Sequence, residues 1–222
     1  VNPYHAGRPV ENPTMFFGRD DALVWIEQQI TLNRHLLILH GPDLIGKTSL
    51  VRRLPGVLPE DFHYLYFECK PFQDESVSRV LAALAGELVR QLTEQGLVSP
   101  HQVDTVADSG TAVESLLQQA ARALDTSSSS PQKLLLILDD VHWLADDAAS
   151  SLKDLLDFLA SLLTEIPSLF LLMTLSDLAY GRLSHSLLAN AVAFRLGPLN
   201  GSAAQQLITQ PTQGSYRFDG GV

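Results

Sequence analysis

A chain of 222 residues with 45% hydrophobic and 18% charged side chains has enough apolar surface for one full α/β domain, or for one domain and part of another. Its net charge of −10 offers no uniform positive field to a nucleic-acid backbone, and the densest basic pair, Arg52-Arg53, is not a stripe. The single cysteine, Cys69, excludes an intrachain disulfide; with no apolar run of membrane-spanning length and a polar, turn-rich start, the expected location is the reducing cytoplasm, with no membrane partner.

Residues 1–18 hold Pro3, Pro9 and Pro13 with Gly7 and Gly18, and read as an extended lead-in. From Asp20 onward Leu23, Ile26 and Ile30 recur at helical spacing, with Asp20-Asp21 at the dipole end that favours acids. Leu36-Leu37-Ile38-Leu39 is a fully apolar run followed by Gly41, which predicts a buried parallel strand feeding a glycine loop. Lys47–Leu54 predicts a short helix stopped by Pro55-Gly56, and His63–Cys69 an aromatic-rich second strand. Val77–Leu92 and Thr111–Leu124 predict helices, and the serine-rich Thr126–Pro131 a solvated loop.

Leu134–Leu138 predicts a third strand, ending in Asp139-Asp140. Asp146-Asp147 reads as the cap of a helix over Ala148–Leu163, and Pro167 as the turn after it. Leu169–Thr174 and Ala191–Leu196 predict strands four and five, and Ser202 the cap of a last helix. Strands alternating with helices predict an α/β fold, a parallel sheet covered on both faces by right-handed crossovers.

Gly41-Pro42-Asp43-Leu44-Ile45-Gly46-Lys47-Thr48 fits the Walker A spacing in the right setting, after a buried strand and opening a helix. The chemistry uses each part. Gly41 and Gly46 let successive N–H groups face phosphates, a helix start adds its positive dipole end, Lys47 reaches the β- and γ-phosphates, and the Thr48 hydroxyl ligates Mg²⁺. Ser49 completes the cradle. Asp139 and Asp140 stand where a Walker B pair stands, at the carboxyl end of a strand. Asp139 is expected to hold Mg²⁺ through water, and Asp140 to orient or deprotonate the attacking water. Thr174 and Ser176, at the end of the fourth strand, are candidate γ-phosphate sensors. His142 is read as a turn residue and Trp143 as packing down. The serine-hydrolase elbow and the dinucleotide glycine motif are both absent.

Phe16-Phe17-Gly18-Arg19-Asp20, the Walker A string from Leu39 to Leu50, and Leu136-Ile137-Leu138-Asp139-Asp140-Val141-His142-Trp143-Leu144 together resemble the STAND ATPases, signal-transduction relatives of the AAA+ and origin-recognition ATPases. The likeness covers about residues 12–210. It implies a three-layer P-loop NTPase fold whose five-stranded parallel sheet runs in the order 5-1-4-3-2. It implies a lead-in over 1–18 along the adenine, with Phe17 and Gly18 as base contacts, an ATPase core over 19–197, and the start of a helical lid over 198–222. ATP/ADP and Mg²⁺ are the implied cofactors. Protein partners or self-association through further domains are the implied readout, as nucleotide exchange or hydrolysis switches the protein between states.

One departure stands out. The family often carries an Arg at the end of the fourth strand, where this chain has Ser176; Arg182 follows six residues later as a substitute. Starting at Val1 and stopping at Gly220-Gly221-Val222, the sequence reads as a piece of a longer protein, so weak binding and slow hydrolysis are expected. Two alternatives stay open: a scaffold that holds nucleotide without turning it over, and an origin-recognition-type DNA-loading ATPase. The absence of an Asn-Lys-x-Asp or Thr-Lys-x-Asp string favours ATP over GTP.

Overall fold

Leu36–Leu39 has no polar face to offer water, and the computed structural model buries all four residues in strand β1, Leu36–Gly41. The structure describes residues 8–10, 12–99, 109–127, 132–144 and 150–210. Four further strands, β2 (Phe62–Glu68), β3 (Lys133–Asp139), β4 (Leu169–Ser176) and β5 (Val192–Arg195), join β1 in one parallel sheet. The order is β2-β3-β4-β1-β5, the expected 5-1-4-3-2 read from the other edge.

Parallel neighbours need long crossovers, and helices supply them. These are α1 (Asp20–Thr31), α2 (Lys47–Arg53), α3 (Val77–Glu94), α4 (Ser109–Ser127), α5 (Ser150–Glu165), α6 (Asp177–Arg182) and α7 (Gly201–Thr209). Because successive strand residues face opposite ways, each apolar run feeds two cores. Leu36, Ile38, Leu134, Leu136, Leu138, Leu171 and Met173 pack against α3, α4 and α5. Leu37, Leu39, Leu135, Ile137, Phe170 and Leu172 pack against α1 and α2. The result is three layers, α/β/α. In α3, the buried Val80, Leu81, Leu84, Leu88 and Leu92 form one stripe, and the Ser76 hydroxyl accepts from the Arg79 amide to begin it. Each such leucine contributes about 1.5–3 kcal/mol by leaving water.

The differences from the sequence reading are local. Asn200, not Ser202, caps α7: its side-chain oxygen accepts from the Ala203 amide at 2.8 Å, while its backbone is still extended (φ −67°, ψ 163°). Ser202 lies inside the first turn and donates to the same oxygen at 3.2 Å. Strand β2 starts one residue earlier than expected, and Cys69 falls just outside it. Thr126 and Ser127 are the last residues of α4 rather than loop. Residues 128–131, Asp146-Asp147 and the first residues of the predicted helix from Ala148 lie outside the described residues.

All five strands point the same way, so their carboxyl ends share one edge. Gly41, Glu68, Asp139, Ser176 and Arg195 are brought there by topology alone, and open α/β sheets bind ligands along this edge.

Candidate functional site

The loop after β1 keeps its shape through backbone that most residues avoid. Gly46 caps α2 at φ +102°, a conformation without cost only for glycine. Gly41 is needed for closeness: a Cβ there would meet the Leu196 carbonyl oxygen at 2.6 Å. Leu44, at φ +61° and 92% exposed, forms the strained apex, with Pro42 and Asp43 exposed beside it. Ile45 is half-buried and packs on the α1/α2 core.

Lys47 is nearly buried, and its ammonium donates to the carbonyls of Gly41 (3.2 Å) and Pro42 (3.1 Å), with Asp43 4.0 Å away. The Ser49 hydroxyl accepts from the Val10 amide at 2.9 Å, tying the lead-in to α2. A cleft of about 320 Å³ opens here. It is lined by Asp43, Leu44, Gly46, Lys47, Thr48 and Ser49 of the loop and α2, by Glu68, Lys70, Asp140 and Trp143 from the ends of β2 and β3, and by Arg8 and Pro9. Residues from the ends of β1, β2 and β3 thus converge on one hollow.

The acidic pair is divided by burial. Asp139 is 1% exposed, and both its carboxylate oxygens are held: Oδ1 accepts from the Thr174 hydroxyl at 2.5 Å, Oδ2 from the Tyr66 hydroxyl at 2.8 Å. Burial, then the charge of Asp139, pushes the Tyr66 phenol upward, so it stays a donor. The Arg52 guanidinium lies over the Tyr66 ring at 5.3 Å and pairs with Glu68 at 3.6 Å. Thr174 in turn accepts from the Asp140 amide at 2.7 Å.

Asp140 sits at φ +58° and lines the cleft. Burial first, then Asp139, raises its carboxyl above the usual range, while Lys47 and Lys70 oppose the rise. Burial and the charge of Lys47 hold His142 below its ordinary value, so its ring is neutral at neutral pH.

Several expected residues lie elsewhere. Thr174 is fully buried with its hydroxyl engaged on Asp139 and Asp140, so it acts through them and does not face the cleft. Ser176 accepts from the Ala179 amide as the cap of α6. Arg182 is exposed at the end of α6 and does not line the cleft. The start of α6 is held in a separate cluster: Asp177 takes three bonds from Arg195 and one from His40, and these partners keep its carboxyl low.

Phe17 and Gly18 also lie outside the cleft lining. Gly18, at φ +63°, is packed so closely against α7 that a Cβ would meet that of Ala203 at 2.1 Å. Arg19 bridges two distant carbonyls, Gly197 at 2.7 Å and Ile45 at 2.6 Å. Trp143, expected to pack down, instead lines the cleft. The cause is the short 3-10 turn Val141–Leu144, whose three-residue period buries Val141 and Leu144 and turns the two residues between them outward.

Sequence reasoning missed Tyr66, Lys70 and Trp143 as site residues. The signal for Lys70 was its place just beyond the carboxyl end of a strand.

The Lys47 ammonium, the Thr48 hydroxyl, the Asp140 carboxylate and the left-handed Gly46 at a helix start line this cleft, with Asp139 buried next to Asp140 and outside the lining, a set that fits a magnesium-bound nucleoside phosphate. Among the described residues no group of three or more His, Cys, Asp or Glu is placed to hold a metal ion. Mg²⁺ needs none, because it is commonly held by one or two carboxylates plus substrate phosphates. Two larger clefts, of about 490 and 630 Å³, lie at the opposite edge of the sheet around His35 and Lys133. They lack a glycine loop, so size does not select them. Among the described residues no helix is long and apolar enough to cross a membrane.

Residues 16–172 match the family described as AAA ATPase domain. No protein of curated function matches the sequence. Among solved structures, the Walker-type ATPase of Pyrococcus abyssi is 14% identical with a TM-score of 0.65, over 93% of this chain and 61% of that one. Cdc6p from Pyrobaculum aerophilum is 16% identical with a TM-score of 0.61, over 98% of this chain and 54% of that one. A chain of Drosophila ORC bound to DNA is 16% identical with a TM-score of 0.54, over 97% and 50%. At these identities the likeness carries the fold alone. The chain spans about half to three fifths of the length of these structures.

Proposed function

This chain belongs to the AAA ATPase domain family, and from that membership we propose that it is an Mg-ATP-dependent regulatory switch of the STAND type, acting in the cytoplasm. The observation that carries the reading is that the Lys47 ammonium and the Asp140 carboxyl, from the ends of two different strands, line one cleft beside the glycine loop.

The positive charge that Mg²⁺ would supply when bound is charge neutralisation beside the phosphates. Thr48 and Asp139 are the residues that would hold it, Asp139 through water. Lys47 exchanges its bonds to the Gly41 and Pro42 carbonyls for bonds to phosphate. The loop from Gly41 to Ser49 turns its amides to the same anion. Asp140, at a left-handed backbone position on the cleft lining, orients a water and accepts its proton. Tyr66 and Thr174 fix Asp139 from both sides.

Arg8 and Pro9 of the lead-in edge the cleft, while the base-side role of Phe17 and Gly18, which lie outside its lining, rests on the family resemblance. Gly18 packs on α7, which lies in the stretch 198–222 that the family resemblance gives as the start of a lid. Partners, or self-association, would read the state of that lid.

The test is the affinity for Mg-ATP of the wild type against Lys47→Ala. A loss of about tenfold or more is expected from removing a charged phosphate contact. Equal binding by the two overturns the reading.

A second reading, a nucleotide-holding scaffold without turnover, is favoured by one observation: no arginine from the end of β4 lines the cleft, since Ser176 caps α6 and Arg182 lies outside. Turnover in the full-length protein no faster than that of Asp140→Asn would establish it. A DNA-loading role finds support in the fold shared with the Cdc6p and ORC structures, and the −10 charge opposes it. Absence of DNA binding by the full-length protein would remove it.

A further inference from the structure

Lys70 is a second ammonium at the same cleft, and the chemistry derived so far gives it no task. It opens the short 3-10 turn Lys70–Phe72 immediately beyond β2. The turn is anchored twice. The Cys69 amide donates to the Asp139 carbonyl at 2.9 Å, and the Phe72 ring stacks on Phe67 at 5.2 Å. The Lys70 ammonium lies 5.1 Å from the ring centre of Trp143. Lysine and tryptophan both line the cleft with Lys47, Thr48 and Asp140.

Among the described residues no carboxylate pairs with Lys70 within 4.0 Å, whereas the neighbouring cation Arg52 is engaged by Glu68 at 3.6 Å. An ammonium held over an aromatic face keeps its full charge and its three donors while losing little mobility to the contact. A cleft already built for phosphate is where such a donor has use. The end of β4, where the resembled family often carries an arginine and this chain has Ser176, is closed by its own cap and by the cluster around Asp177.

We propose that Lys70, steadied on Trp143, contacts the terminal phosphate of a nucleoside triphosphate and is the residue that separates triphosphate from diphosphate. The proposal rests on the nucleotide reading of the cleft. Lys47 serves the glycine loop and binds either nucleotide; Lys70 comes from the end of a different strand and finds a partner only when the third phosphate is present. Its charge also bears on Asp140, tying recognition of that phosphate to the residue that orients water.

The test measures dissociation constants for Mg-ATP and Mg-ADP by calorimetry in the wild type, Lys70→Met, Lys70→Arg and Trp143→Leu, with Lys47→Ala as the control for the cleft itself. Lys70 is exposed, so Lys70→Met is expected to fold. The expected result is a preference for ATP over ADP that falls about tenfold in Lys70→Met with ADP affinity unchanged, the size of one charge-assisted contact. Lys70→Arg keeps the preference, and Trp143→Leu loses part of it. A preference equal in wild type and Lys70→Met, a parallel loss for both nucleotides, or a wild type that binds the two equally, overturns the assignment while leaving the nucleotide site standing. A wild type that binds neither overturns the site as well.

Discussion

Replacing Thr174 by Val removes one hydroxyl and keeps the outline of the side chain, so it isolates what that hydroxyl does at the centre of the sheet. Two partners lose it together: the Asp139 oxygen at 2.5 Å and the Asp140 amide at 2.7 Å. Thr174 is 0% exposed, and water cannot reach in to replace it. A hydrogen bond to a charged group contributes about 1.5–3 kcal/mol, and a buried amide left unpaired costs about 1–3 kcal/mol. The Tyr66 hydroxyl still holds the other Asp139 oxygen, so the expected loss is about 3–5 kcal/mol. For a chain of 222 residues, each kcal/mol lowers Tm by about 2–4 °C, which gives a fall of roughly 6–20 °C. Urea denaturation and calorimetry of the nucleotide-free protein measure it directly. Thr174→Ser restores the hydroxyl, gives up one methyl group, and should recover most of the loss. A Thr174→Val protein within about 1 kcal/mol of wild type, less than the loss of a single hydrogen bond to a charged group, or a Ser variant as damaged as the Val one, refutes the clamp.

Asp140→Asn should stop turnover and yet stabilise the unliganded protein at neutral pH. The folded state raises the Asp140 carboxyl, so it holds its proton to higher pH than the unfolded chain does, and folding is penalised as pH rises from the ordinary Asp range through the folded value. The Asn gain should therefore be present at pH 7 and vanish in acid below that range; a Tm series in pH showing a constant gain, or a loss at pH 7, contradicts it. Asn also tolerates the left-handed backbone at this position. Gly18→Ala should cost at least about 1–2 kcal/mol from the left-handed backbone alone, and the clash with Ala203 should loosen α7. Faster proteolytic cleavage within α7 is the sign to look for, and a variant as stable and as protease-resistant as wild type denies the packing.

The three central strands were plain in the sequence because Leu36–Leu39, Leu134–Leu138 and Leu169–Thr174 are buried on both faces. An uninterrupted apolar run of that length fits a strand buried on both faces, and its shortness and flanking turn residues separate it from a buried helix. The edges were less exact. In β2 buried and half-buried residues mix, in β5 half-buried and exposed residues alternate, and the ends blur by a residue. The order of the strands was not in any apolar run; it came through family resemblance, because which strand lies beside which depends on crossovers and not on local pattern. The glycine loop was legible since all its parts are contiguous.

Tyr66 and Lys70 were not legible for the opposite reason. They reach the acidic pair only through the register that sets Glu68 beside Asp139, a contact between segments about seventy residues apart. The place of Thr174 near the end of a strand predicts a residue that faces a ligand. On the central strand of the sheet that position is sealed by neighbours on both sides, and the hydroxyl turns to them.

Arg19 acts as a tie-rod. It is 8% exposed, and its guanidinium grips one carbonyl in the glycine loop and another just before α7, residues 26 and 178 positions away along the chain. Tilting the peptide at Ile45 must slacken one arm of the fork or drag the other, so a sub-ångström adjustment around a bound anion becomes a pull on Gly197. The two ends of the fold are thereby geared together through a single side chain.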